Sequence, residues 1–256
     1  YTRNPANFHL DTLWFRGGFP GSYLAEDDAA SWDWRSDFIT TYLERDIPQM
    51  GVNIPAARFR RFWTMLAHYQ GQQVVLSTLG RSMELSHTTI RYYLDLLTDF
   101  FMLRQLPPWS GNVKKRLVKT PKIYLRDTGL LHRLLQISSF DALMGNPIVG
   151  ASWEGFVVEN ILNKLDDRWS YSYYRTHTQV EIDLVLETPN KETWAVEVKR
   201  ASAPRLSRGF HLACEDVKAH KKWVIHAGTD RYPLPHEVEV IGLIEFLALL
   251  DQTTFL

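Results

Sequence analysis

The chain has 256 residues, 45% hydrophobic and 23% charged, a globular balance that excludes a disordered chain. Its 29 Lys+Arg equal its 29 Asp+Glu, so a polyanionic partner has to be met by a local cluster rather than by net charge. The single Cys214 makes no internal disulfide and has no metal-ligand companion motif, no stretch approaches the roughly 18 apolar residues that span a bilayer, and the start YTRNPANFHLD has no apolar signal region, so a reducing, cytoplasmic setting without membrane is expected.

The elements suggest an α/β (α+β) chain in three stretches. Residues 1–53 read as a helical segment: a turn at Arg16-Gly-Gly-Phe-Pro20, then WDWRSDFITTYLERDI with Trp34, Phe38, Tyr42 and Leu43 on one helical face. The stretch is too short to enclose a core of its own. Residues 54–144 read as a winged helix-turn-helix with a connecting helix. Phe59, Phe62, Trp63, Leu66 and Tyr69 recur at helical spacing, VVLSTLGRSM is a short helix ending near Gly80, and Ser86 caps HTTIRYYLDLLTDFFML, with Ile90, Leu94, Leu97 and Phe101 inward. Pro107 and Pro108 stop the helix, and a β-hairpin wing is expected around Ser110-Gly111-Asn112. DTGLLHRLL connects onward, and Gly145-Asn146-Pro147 mark a boundary. Residues 145–256 then read as helix 149–166, strands 170–176, 179–187 and 193–200, helix 207–219 and strand 222–227, followed by a short strand and a terminal helix. The order is α-β-β-β-α-β.

Charges fall in a pattern within that last stretch. Glu154 shares a helical stripe with Val158, Ile161 and Leu165, where a carboxylate needs a partner. In VEIDLVL, Val180, Ile182, Leu184 and Leu186 point one way and Glu181, Asp183 and Val185 the other. In WAVEVK, Ala195, Glu197 and Lys199 share a face. If the two strands pair, Asp183, Glu197 and Lys199 meet on one face within reach of Glu154; three carboxylates there call for a cation, and oxygen ligation suits Mg²⁺ or Mn²⁺. The bland alternative is a solvated hairpin face carrying cross-strand ion pairs.

The pattern Glu154…Ile182-Asp183…Glu197-Val198-Lys199 resembles the PD-(D/E)xK restriction-endonuclease-like superfamily, with Ile182 where its proline stands. The resemblance implies a metal-dependent deoxyribonuclease. Asp183 and Glu197 would hold the metal with the Val198 carbonyl, Glu154 would be an outer or second ligand, and Lys199 would orient or deprotonate water or stabilise developing charge. Tyr174, Arg175 and His177 stand upstream as phosphate contacts or as mere surface residues.

In the middle stretch His87, Thr88, Arg91 and Tyr92 would face outward at the start of a recognition helix. Residues 104–126 hold seven basic and no acidic side chains: Arg104, Lys114, Lys115, Arg116, Lys119, Lys122 and Arg126. A wing bearing Lys114, Lys115, Arg116 and Lys119 would lie against DNA phosphates; docking of a protein partner through the same surface, with the basic run an ordinary solvated face, is the competing expectation.

Taken in order, RGGFP, TYLERDI, KIYLRDTGLL, WEGFVVENIL, VEIDLVL and AVEVK resemble the C-terminal region of a prokaryotic family of AAA-type ATPases that carries a nuclease-like domain behind the ATPase. That resemblance, with a start at Tyr1 rather than Met, implies a longer parent whose missing N-terminal domain would bind ATP and drive oligomerisation. Residues 1–53 would then be a lid remnant, with Arg16 near the nucleotide, or Gly18-Phe19-Pro20 would simply be a turn. The sequence given has no phosphate-binding G-x-x-x-x-G-K-[ST] loop. The C-terminal domain is left with two roles to choose between, a DNA-cutting one and a non-cutting regulatory or docking one.

Overall fold

The structure is a computed structural model that describes residues 9–111, 113 and 115–254, with side chains described as far as Asp251. The protein is mixed α/β and divides into two compact units. One comprises the chain up to Gln70 with residues 75–104 and 124–152; the other comprises residues 71–74 and 105–123 with the chain from Trp153 onward.

The first unit is helical: α1 (Leu10–Arg16), α2 (Pro20–Tyr23), α3 (Asp28–Thr41), a π-helical stretch Tyr42–Asp46 running into α4 (Ile47–Gln49), α5 (Ala56–Ala67), α6 (Leu76–Met83), α7 (His87–Asp99), α8 (Thr128–Leu134), α9 (Phe140–Met144) and the start of α10 (Val149–Leu162). Carboxylate and hydroxyl caps set the starts. Asp27 accepts from the Ala30 N–H, Ser86 from Thr89 and Asp127 from Leu130, each satisfying a donor that a first turn leaves open.

Several boundaries differ from the sequence reading. The inner face of α3 carries Ser31, Arg35 and Ile39, while Trp34 and Phe38 are half-buried, stack on each other and meet the Phe19 ring at a tilt. Gly80 lies inside α6, not at its end, and a Cβ there would come within 2.6 Å of the Leu85 carbonyl, where the turn folds back on the helix. The turn to α7 is made by Glu84 in the left-handed region, φ 56°. α7 stops at Asp99, so Phe101 is not part of its inward face; it is 72% exposed, with Arg126 over its ring.

The strands β1 (Gln72–Gln73), β2 (Leu103–Leu106) and β3 (Lys122–Leu125) form a small sheet in the order β1-β3-β2, with Gln73 opposite Lys122. The second unit is built on a six-stranded sheet, β4-β5-β6-β7-β9-β8, from β4 (Ser170–Arg175), β5 (Glu181–Glu187), β6 (Thr193–Val198), β7 (Lys221–His226), β8 (Tyr232–Leu234) and β9 (Val238–Gly242). β4, β5 and β6 are antiparallel neighbours, whereas β6, β7 and β9 run parallel, with α11 (Arg208–Asp216) in the crossover from β6 to β7 and α12 (Leu243–Thr254) closing the chain. From residue 149 the elements run helix, three strands, helix, strand, in the expected order.

Two local features shape the sheet around Asp183. The pairing of β4 with β5 shifts register between Ser172 and Tyr174, a bulge beside Asp183. Strict alternation in β5 therefore fails: Ile182 and Val185, three apart, enter the same core cluster with Phe210 and Ala213 of α11. The edge of β4 is also covered. Trp109 donates its N–H to Tyr173 O at 2.7 Å, Tyr173 returns one to Pro107 O at 3.0 Å, and Val118 donates to Arg175 O at 2.9 Å. β2 and β3 flank the hairpin expected around Ser110-Gly111-Asn112 and are sheet neighbours; between them Pro108 bridges to Tyr173 and Leu117 to Thr176, and Asn112 lies outside the described residues.

Candidate functional site

α10 is apolar and buried around nearly its whole circumference, and it ends at Leu162, so Leu165 is not on it. Glu154 is therefore not marked out by a single stripe; its carboxylate is marked by its partner. Glu154 Oε1 receives the Lys122 ammonium at 3.1 Å. The same ammonium reaches Glu181 Oε1 at 2.5 Å and Asp183 Oδ1 at 3.6 Å, and it lies 5.5 Å from the centre of the Tyr173 ring. Lys122 is 2% exposed. Removing an ammonium from water costs several kcal/mol, which this ring of acids offsets.

Asp183 stands where the β5–β6 ladder opens. The last paired residues are Leu184 and Val196; beyond them the other Asp183 oxygen, Oδ2, accepts the Val198 N–H at 2.9 Å, taking the place of a backbone carbonyl. Glu197 is buried and bonded to Lys199 at 2.7 Å. Burial first, then the Asp183 charge, pushes the Glu197 carboxyl above the usual carboxylate range, and the Lys199 ammonium opposes that rise. Burial acts to lower Lys199, but the charge and hydrogen bond of Glu197 outweigh it and hold that ammonium above its usual range.

The structure thus brings Glu154 and Asp183 to one point and sets Glu197 with Lys199 beside them. Sequence reasoning placed Lys122 among solvent-facing basic residues and gave Glu181 no role; both belong to this cluster. The available signal was position: Lys122 opens the apolar strand KIYL, where an outward lysine is the exception. Arg175 is held by Glu181 at 3.3 Å, and Tyr174 is buried with its hydroxyl on Asp216 at 2.7 Å, so neither stands open as a phosphate contact. His177 is exposed.

Among the described residues no three carboxylate, imidazole or thiolate groups surround one point closely enough to hold a metal as they stand. The donor chemistry is nonetheless all-oxygen, and the point on which Glu154 and Asp183 converge is taken by a cation of the chain itself.

The residues expected at a nucleic-acid surface fall in two places. His87, Thr88, Arg91 and Tyr92 are all exposed on the first two turns of α7. Lys115, Arg116 and Lys119, with Trp109 and His177, line a concavity of about 900 Å³ in the second unit, while Lys114 lies outside the described residues. Lys115 is paired with Asp216 at 2.6 Å; Arg116 and Lys119 are exposed. Arg16, expected near a nucleotide, is bound by Asp28 at 2.7 Å and by the Ala25 carbonyl. No helix of the described residues is long and apolar enough to cross a membrane.

Comparison with known proteins places relatives beside this geometry. The uncharacterized protein Rv2008c of Mycobacterium tuberculosis and the uncharacterized protein Mb2031c of Mycobacterium bovis are each 47% identical over 245 residues. The matched region covers 96% of this chain and 55% of each relative, so the chain spans about half the length of the curated relatives it matches. No solved structure matches it. The profile described as a domain of unknown function, DUF4143, matches residues 149–246, the part of the chain that carries Glu154, Asp183, Glu197 and Lys199. Residues 7–141 match a second profile over more than half of the chain, and by that match the chain belongs to the family described as a domain of unknown function, DUF8612.

Proposed function

We propose that the C-terminal part is a PD-(D/E)xK nuclease-like domain that hydrolyses DNA phosphodiesters with Mg²⁺ or Mn²⁺. The observation that carries this reading is the convergence of Glu154 and Asp183 on one cation, with the Glu197–Lys199 pair on the adjoining strand. A divalent ion would polarise the phosphoryl oxygen and acidify a bound water. Asp183, Glu197 and Glu154 would hold it, and the Lys199 ammonium, hydrogen-bonded to Glu197, would position the water or stabilise the developing negative charge.

In the parent protein an ATPase domain would precede this chain, form the oligomer and place the domain on DNA. α6 and α7 would serve as a helix-turn-helix with β2 and β3 as the base of a wing. The test is nicking of supercoiled plasmid by the full chain with Mg²⁺ or Mn²⁺. Asp183→Asn and Lys199→Ala are each expected to lower the rate by about 100-fold or more, the scale of losing a charge-stabilising group; equal cutting by both variants overturns the reading.

A second reading is a non-cutting, metal-independent regulatory module that binds DNA or docks a protein. It is favoured by the Lys199–Glu197 ion pair, in which the lysine already neutralises its neighbour. Salt-sensitive retention of random DNA without any cutting would support it.

A further inference from the structure

We propose that Lys122 is a fifth member of this site, a tethered cation that fills the place between Glu154 and Asp183 and must swing aside before a divalent metal enters. The inference rests on the nuclease-like reading of the same carboxylates and concerns how that site is controlled. Three observations support it. Lys122 is almost wholly enclosed, yet it opens a strand whose pairing with Gln73 fixes its backbone, so the side chain is directed inward by register. Its ammonium touches both metal-type carboxylates, at 3.1 and 3.6 Å, where Mg²⁺ would need the same oxygens at roughly 2.1 Å; the two cations exclude each other by space and by charge. The third carboxylate it meets, Glu181 at 2.5 Å, lies outside the nuclease pattern and is also held by Arg175. Glu181 therefore gives the ammonium a resting place when Glu154 and Asp183 turn to the metal.

The probe is Mn²⁺, titrated against the full chain and read by electron paramagnetic resonance. Lys122→Met is expected to bind Mn²⁺ about tenfold more tightly than the wild type, or about 1.4 kcal/mol. Adding Asp183→Asn should abolish the binding. Arg175→Met removes an equal charge nearby without vacating the place, and is expected to gain less than about threefold. Equal gains in the Lys122 and Arg175 variants, or no gain in Lys122→Met, overturn the tethered-cation role while leaving the metal site standing; absence of Asp183-dependent binding in every protein overturns both. A second readout uses the wild type alone, in case Lys122→Met does not fold. Acetylation of lysines by an activated ester, mapped by mass spectrometry, should spare Lys122 without metal and label it as Mn²⁺ saturates. Unchanged protection at saturation overturns the proposal.

Discussion

His132 of α8 is fully enclosed, with Nδ1 on the Phe15 carbonyl at 2.9 Å and Nε2 on the Ser152 hydroxyl at 2.7 Å, which also receives the Trp14 indole N–H at 3.0 Å. Burial pushes its pKa down from 6.5 to about 4. The folded protein therefore keeps the ring neutral while the unfolded chain takes up a proton below pH 6.5. The stability contributed by the neutral ring is complete above pH 6.5 and is lost as pH falls from 6.5 toward 4, in total about 3 kcal/mol. Urea midpoints at pH 7.5 and 4.5 should show this loss, and His132→Asn should flatten the dependence across that window while lowering the starting value. An unchanged pH slope in the variant would assign the acid sensitivity to other groups. Ser152 and His132 form no catalytic pair: neither side chain is reachable from solvent.

At the scale of elements, two glycines test how tightly helices are set. A Cβ on Gly129 would stand 1.9 Å from the Arg16 carbonyl, so α8 approaches the end of α1 only because that atom is missing. Gly129→Ala should cost about 2–4 kcal/mol through forced separation of the two helices. Gly150, at the exposed start of α10, has open space where the Cβ would go, and Gly150→Ala should gain about 0.5–1 kcal/mol from helix propensity. Chemical denaturation of the two variants reads both signs at once. Helix existence was legible in the sequence, since Phe59, Phe62, Trp63 and Leu66 repeat at helical spacing and are all buried. What periodicity could not supply were events set by tertiary contact. The run from Ser86 to Leu103 is apolar enough to continue as helix, yet the chain turns at Phe101, with φ 60°, to begin β2. The bulge beside Asp183 leaves no trace in a strand that alternates on paper, and Lys122 was hidden by its company: six basic neighbours made it read as surface. The carboxylates were easier, because an acid in an apolar strand or helix announces a partner even when the partner is unknown.

The chain carries no formal net charge, so an association with DNA would be local, its salt dependence set by the number of phosphates met. Each phosphate contact removed lowers the slope of log affinity against log salt by about 0.9. Replacing the exposed Arg116 and Lys119 together by Gln should therefore reduce that slope by about 2 in a filter-binding titration, whereas Lys115→Gln should change it less, since Asp216 already holds that ammonium. Equal effects of all three would locate the contact elsewhere. The covering of β4 by Pro107, Trp109 and Val118 has a consequence for how such a protein can be inherited. A gene break between the codons for Gln105 and Trp153 would leave the six-stranded sheet with an unpaired border strand, an invitation to stick to another copy, and would strip the acids of their lysine. The two lengths of sequence therefore have to be exchanged between proteins together, and recombination that respects only the order of motifs along the chain would yield a sheet prone to aggregate.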